Sequence, residues 1–147
     1  LGADVVIDYK KQNFESILQD YDVVLNSLGA DELEKSLTIL RPGGQLISIS
    51  GPPTPQFAEE QKLFWGLGLV MRLLSSSTRR KARKRNVRYA FVFMRASGAQ
   101  LGEITALIES GIIKPVIDRS FPFESTAEAL SYVEQGRSKG KVIIKLK

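Results

Sequence analysis

Between Tyr21 and Pro53 the chain reads YDVVLNSLGADELEKSLTILRPGGQLISISGPP, and no other stretch restricts the possible folds as much. Val23, Val24 and Leu25 form an unbroken apolar run, as a parallel strand buried on both faces requires. Leu33, Leu37 and Leu40 then recur at i, i+4 and i+7, one face of a helix. Pro42, Gly43 and Gly44 are expected to end that helix, with Leu46, Ile47 and Ile49 in the next strand. The pattern is a β-α-β unit. Each strand runs into a small polar turn, Asn26-Ser27-Leu28-Gly29 after the first and Ser50-Gly51-Pro52 after the second. In open α/β sheets ligands bind outside the carboxyl ends of the strands, where such turns lie. A generic α/β unit with turn-forming residues has the same spacing, so spacing alone leaves both readings open.

The rest of the chain continues the alternation. Val5, Val6 and Ile7 read as a short buried strand closed by Asp8 and Tyr9, and Asn13–Gln19 as a short helix. Pro52, Pro53 and Pro55 exclude regular structure from the loop after the unit. Ala58–Ser75 reads as a helix with an apolar face of Leu63, Phe64, Leu67, Val70, Met71 and Leu74, weakened by Gly66 and Gly68 at about 1 kcal/mol each. Tyr89–Met94 is a strand rich in aromatic and β-branched residues. Ala99–Ser110 is a helix with Leu101, Ile104, Leu107 and Ile108 on one face and Gly111 as its C-terminal glycine. Pro115 confines the apolar run Ile112–Ile117 to an edge or irregular strand. Ser125-Thr126-Ala127-Glu128 has the form of a capping box, opening a helix that Gly136 stops. Lys141–Leu146 is the final strand. Strands alternating with helices predict an α/β protein with a mostly parallel sheet.

What chemistry such a fold could carry is narrowed by two missing residue types. The 147 residues include no cysteine and no histidine. Thiolate nucleophiles, the usual general base and the commonest zinc ligands are therefore not supplied by this sequence. Catalysis would rest on a cofactor, on carboxylates or on another chain. Glu103, Glu109 and Asp118 are the carboxylates considered for acid/base work, but none is paired with another at a useful spacing. No apolar stretch reaches the roughly 18 residues of a membrane span and no signal peptide opens the sequence, so the cytoplasm is the default expectation.

Charge is concentrated in one place. Arg79–Arg88 (RRKARKRNVR) holds seven of the 21 lysines and arginines and none of the 16 acidic residues, so the remainder is slightly acidic. An apolar helix running into a basic segment suits a non-catalytic interaction module or a membrane-surface helix. The Ser75–Ser77 break and the consecutive layout favour a helix packed on the sheet or on a partner domain, followed by a solvated basic loop. No aromatic interleaves with the charges, which argues against a nucleic-acid groove.

The order of these pieces resembles the C-terminal part of the cofactor domain of the medium-chain dehydrogenase/reductases, in the quinone oxidoreductase-like branch that includes the reticulon-4-interacting protein. The residues that carry the likeness are LGADVVIDYK at 1–10, YDVVLNSLG at 21–29, LRPGGQLISISGPP at 40–53, YAFVFMRASG at 89–98 and the block from Ile113 onward, in which PVID, FPF, an AEA helix and GKV recur. The weakest likeness lies between Gln56 and Arg83. The resemblance implies a Rossmann-like, mostly parallel sheet holding family strands 3 to 6, within residues 1–111, and a strand-helix-strand at 112–147 that returns to the catalytic domain. It implies hydride transfer between NADP(H) or NAD(H) and a quinone, enone or carbonyl. By position, Asn26, Ser27, Leu28, Gly29, Ser50, Gly51 and Pro52 would line the nicotinamide and its ribose. Phe93, Met94 and Arg95 would flank it from the other side, and Asp8 and Tyr9 would lie near the adenine edge. None of these matches a catalytic proton donor, and no metal is expected despite the zinc in the family's name.

The departures are as informative. The family's Gly-rich phosphate loop and first two strands would precede Leu1, and the chain opens without a methionine, so the expectation is a piece of a longer protein, inactive by itself or nearly so. Strands 3 to 6 in the order 3-2-1-4-5-6 take right-handed crossovers that put their helices on one face. The other face would be bare Val, Leu and Ile, an expected site for homo-oligomerisation through the open face or an edge strand, unless the Ala58–Ser75 or Ala99–Ser110 helix covers it.

Overall fold

A computed structural model describes residues 2–136 and 138–146. The chain forms two compact units that divide between Arg95 and Ala96. The helix at Gly98–Glu109 thus groups with the C-terminal unit, whereas the expected division placed it with residues 1–111.

In the unit Ala3–Arg95, strands β1 (Tyr21–Asn26), β2 (Leu40–Ser48) and β3 (Arg88–Phe91) form a parallel sheet in that order. Helix α1 (Ala30–Ser36) links β1 to β2, and helices α2 (Pro55–Glu60), α3 (Trp65–Leu74) and α4 (Ser76–Lys84) link β2 to β3. The expected β-α-β unit is present, with shifted boundaries. Helix α1 closes at Ser36, and Leu40 already belongs to β2, where it opposes Tyr21. Pro42, Gly43 and Gly44 lie inside that strand as a bulge: the register passes from Tyr21–Leu40 directly to Val23–Gln45. Gly43 takes φ +86°, a left-handed conformation that side chains resist, and its N–H donates to the Asn86 carbonyl.

The core follows from the strand alternation. Val24, Leu46 and Tyr89 stand in register on one face, where α1 contributes Leu33 and Leu37 and α4 contributes Ala82, with Leu40 and Val87 beside them. Leu46 is wholly buried. The residues between them point the other way: Val23 is 54%, Leu25 67% and Ile49 51% exposed. The bare sheet face expected from the crossover rule is therefore present.

Five other expectations are corrected. Val5–Ile7 is not a strand, and Val6 is exposed; no strand among the described residues lies beside it. The helix at Asn13–Gln19 shrinks to a 3-10 turn at Phe14–Ser16. Ala58–Ser75 is two helices, because Lys62 (φ +51°) ends α2 in a Schellman arrangement, with Leu63 N–H on the Ala58 carbonyl. No residue of α3 is buried, so it does not pack on the sheet. The basic run is helical as far as Lys84; Asn86 (φ +55°) supplies the same kind of stop, with Val87 N–H on the Ala82 carbonyl.

In the C-terminal unit, α5 (Gly98–Glu109) is capped by the Ser97 hydroxyl and followed by Gly111 at φ +75°, as its sequence predicts. Strands β4 (Ile117–Pro122) and β5 (Lys141–Lys145) pair in parallel around α6 (Thr126–Glu134). The run Ile112–Val116 is irregular, as Pro115 requires. The Ser125 capping box does not form: Ser125 ends a 3-10 turn at φ −95°, ψ +21°, not in the extended geometry a cap needs.

Candidate functional site

The carboxyl ends of the three sheet strands bring Asn26, Ser48 and Phe91 into one row. Asn26 and Ser48 are buried polar residues on the helix-covered face, so each must find partners inside the protein. They find each other: the Ser48 hydroxyl donates to Asn26 Oδ1 at 3.1 Å. Ser48 Oγ in turn accepts the Gly51 N–H at 2.8 Å. Ser50 Oγ lies 2.5 Å from the Leu28 carbonyl and 3.3 Å from Asn26 Oδ1; its single proton serves one of them at a time. The turns after β1 and β2 are thus tied together by side chains rising from the sheet.

Tyr89, on β3, anchors the second turn from the side. Its phenol donates to the Pro52 carbonyl at 2.8 Å. Burial raises its pKa to about 12 from the ordinary 10, outweighing the opposing effect of the Ser48 hydrogen bond. Gly51 fits because it lacks a side chain: a Cβ there would sit 2.6 Å from Leu33 Cδ1, 2.7 Å from the Tyr89 hydroxyl and 2.8 Å from Ser48 Oγ. The groups at this site are an amide, hydroxyls and a phenol whose proton is committed to a carbonyl.

A phenol whose folded pKa is raised stabilises the fold below pH 10, and that contribution is lost as pH rises through about 12. Absorbance titration of tyrosine is therefore expected to show a step near pH 12 that Tyr89→Phe removes. The variant should also lose less stability between pH 10 and 12 than the wild type. A step that persists in the variant would contradict the assignment.

Beside this network Phe57, Phe91 and Phe93 form an aromatic cluster, with Phe57 and Phe91 edge to face at 5.2 Å. Together with Glu60, Gln61 and Arg95 they line a cleft of about 450 Å³. Sequence reading placed Phe93 and Arg95 here but missed Phe57 and Glu60. Thr54-Pro55 was the available signal, a cap followed by proline that starts α2 earlier, the Thr54 hydroxyl accepting the Phe57 N–H. Ser27, Leu28, Gly29 and Met94 are exposed around the strand ends. Asp8 and Tyr9 are not joined to the network: Asp8 closes its own turn with Lys10, Lys11 and Gln12, and Tyr9 is exposed. Asp118 is not poised for acid/base work, since it accepts the Tyr132 hydroxyl at 2.7 Å and so raises that phenol's pKa.

Among the described residues no three potential metal ligands converge. A nicotinamide fits better: the row of strand ends offers a fixed polar turn on one side and an aromatic cleft on the other.

A family model described as zinc-binding dehydrogenase matches residues 1–144. The chain is 32% identical over 146 residues to a 2-methylene-furan-3-one reductase of Solanum lycopersicum, covering 98% of this chain and 29% of that protein. It is 33% identical over 150 residues to the mitochondrial NAD(P)H oxidoreductase RTN4IP1 of Bos taurus, covering 98% of this chain and 37% of that one. Among solved structures, the quinone oxidoreductase from Coxiella burnetii superposes with a TM-score of 0.73 at 19% identity, over 99% of this chain and 40% of that chain. The chain thus spans about a third of the length of the relatives it matches.

Proposed function

We propose that this chain, which belongs to the zinc-binding dehydrogenase family, supplies the nicotinamide side of an NAD(P)H-binding crevice in an oxidoreductase acting on a quinone, enone or carbonyl. The observation that carries the reading is the buried Asn26–Ser48 pair, which with Tyr89 fixes the Ser50–Pro52 turn at the carboxyl ends of three parallel strands. A bound nicotinamide cofactor supplies the hydride chemistry; the protein supplies position and a dry wall. Asn26 and Ser48 hold the two turns, so that Ser27–Gly29 and Ser50–Pro52 present a rigid edge to the ring and ribose. Phe93, Met94 and Arg95 close the opposite side, with Phe57 beneath. Asp8 and Tyr9 face the adenine end. Zinc has no part in this reading.

The pyrophosphate-binding half lies outside these residues, so the chain by itself holds the cofactor weakly and is inactive or nearly so. Calorimetric titration with NADPH tests this. Affinity in the millimolar range is expected, and submicromolar binding by these 147 residues would contradict it. The open face carrying Val23, Leu25 and Ile49 also favours a homo-oligomer, to be read by light scattering after size exclusion. Among the described residues no helix is long and apolar enough to cross a membrane.

A further inference from the structure

We propose that α3 and α4 together form a surface that docks on an anionic phospholipid bilayer. Helix α3 (WGLGLVMRLL) buries no residue; Trp65 is 77%, Leu69 55% and Leu73 68% exposed. A helix this apolar left in water calls for an occupant. The neighbouring helix indicates which one. Helix α4 begins after the single residue Ser75 (φ −86°, ψ 0°), which ends α3 with its N–H on the Met71 carbonyl and opens α4 with its carbonyl accepting the Arg79 N–H. Leu69 and Leu73 on α3, and Ser77, Arg80 and Lys84 on α4, make an exposed stripe in two helical segments, while buried Ser75 and Ala82 mark the inner side. Of the basic run, among the described residues only Lys81 makes an ion pair, with Glu34. Arg80, Arg83 and Lys84 remain exposed.

The stripe is thus apolar at one end and cationic at the other. A nucleic acid would use the cations and leave Trp65, Leu69 and Leu73 in water. An anionic bilayer takes both, seating Trp and Leu at the headgroup boundary and the cations against the phosphates. Ten residues are too short to span, so the helix lies on the surface. The proposal is independent of the cofactor reading.

Trp65 is the only tryptophan, so its emission reports on this helix alone. On vesicles of phosphatidylglycerol and phosphatidylcholine in equal parts, its emission is expected to shift to the blue and the chain to co-sediment. On phosphatidylcholine alone neither should occur, and added salt should release the bound chain. The combined Arg80→Gln, Arg83→Gln and Lys84→Gln variant should bind about a hundredfold more weakly, as three lost charges near an anionic surface imply. Leu69→Ser with Leu73→Ser, both exposed positions, should bind more weakly with the fold intact by circular dichroism. An unmoved Trp65 spectrum on anionic vesicles, equal binding to neutral ones, or binding to duplex DNA without binding to vesicles would overturn the proposal.

Discussion

Leu46→Ala is expected to destabilise the Ala3–Arg95 unit by about 2–5 kcal/mol, near the top of that range. Leu46 is fully buried at the centre of β2, among Leu33, Leu37, Leu40, Ala82 and Val87. Removing its side chain loses transfer free energy and leaves a cavity that the sheet and two helices cannot close. Domains of this size hold about 5–15 kcal/mol in all, so the variant should unfold at much lower urea. Leu25→Ala is the control one residue from the same row. Leu25 points to the open face and is 67% exposed, so about 0.5 kcal/mol or less is expected. Equal losses at the two positions would mean that the two faces are wrongly assigned.

Gly51→Val should have the second largest effect. The added Cβ would meet Leu33, Tyr89 and Ser48 at 2.6–2.8 Å, and Leu33 and Ser48 are buried with nowhere to move. Overpacking of this kind costs about 1–3 kcal/mol. Breaking the Tyr89–Pro52 hydrogen bond adds about 1 kcal/mol. Beyond stability, the Ser50–Pro52 turn would leave its position, and NADPH affinity should fall about tenfold, the equivalent of roughly 1.4 kcal/mol. Gly102→Ala, in α5 with open space around it, should be neutral or stabilising in both measurements.

What could be read from the sequence was what depends on local pattern. The apolar run at Val23–Leu25, the leucine spacing of α1 and the glycine after α5 each predicted their element; the run is not buried on both faces as its composition suggested, since only Val24 meets the core and Val23 and Leu25 are exposed. The open sheet face was legible from topology alone, since right-handed crossovers leave no choice of side. Three things were not. Val5–Ile7 has the composition of a strand, but a strand needs a partner, and pairing is not local. Arg79–Arg88 was read as a solvated loop from its charge, although arginine and lysine are good helix formers and Asn86 is a recognised helix stop. The Asn26–Ser48–Tyr89 network joins three strands, and nothing in the spacing of those residues shows that β2 and β3 bring them into register. Asn26 and the turns were anticipated as site residues; the buried Ser48 and Tyr89 that fix them were not.

The most direct test is a nitrogen-15 NMR titration of the chain with NADPH. The expected result is weak binding, with shifts confined to the amides of Asp8, Tyr9, Asn26, Ser27, Leu28, Gly29, Ser50, Gly51, Phe93, Met94 and Arg95. Shifts absent from these amides at saturating NADPH, or centred elsewhere on the chain, would contradict the account.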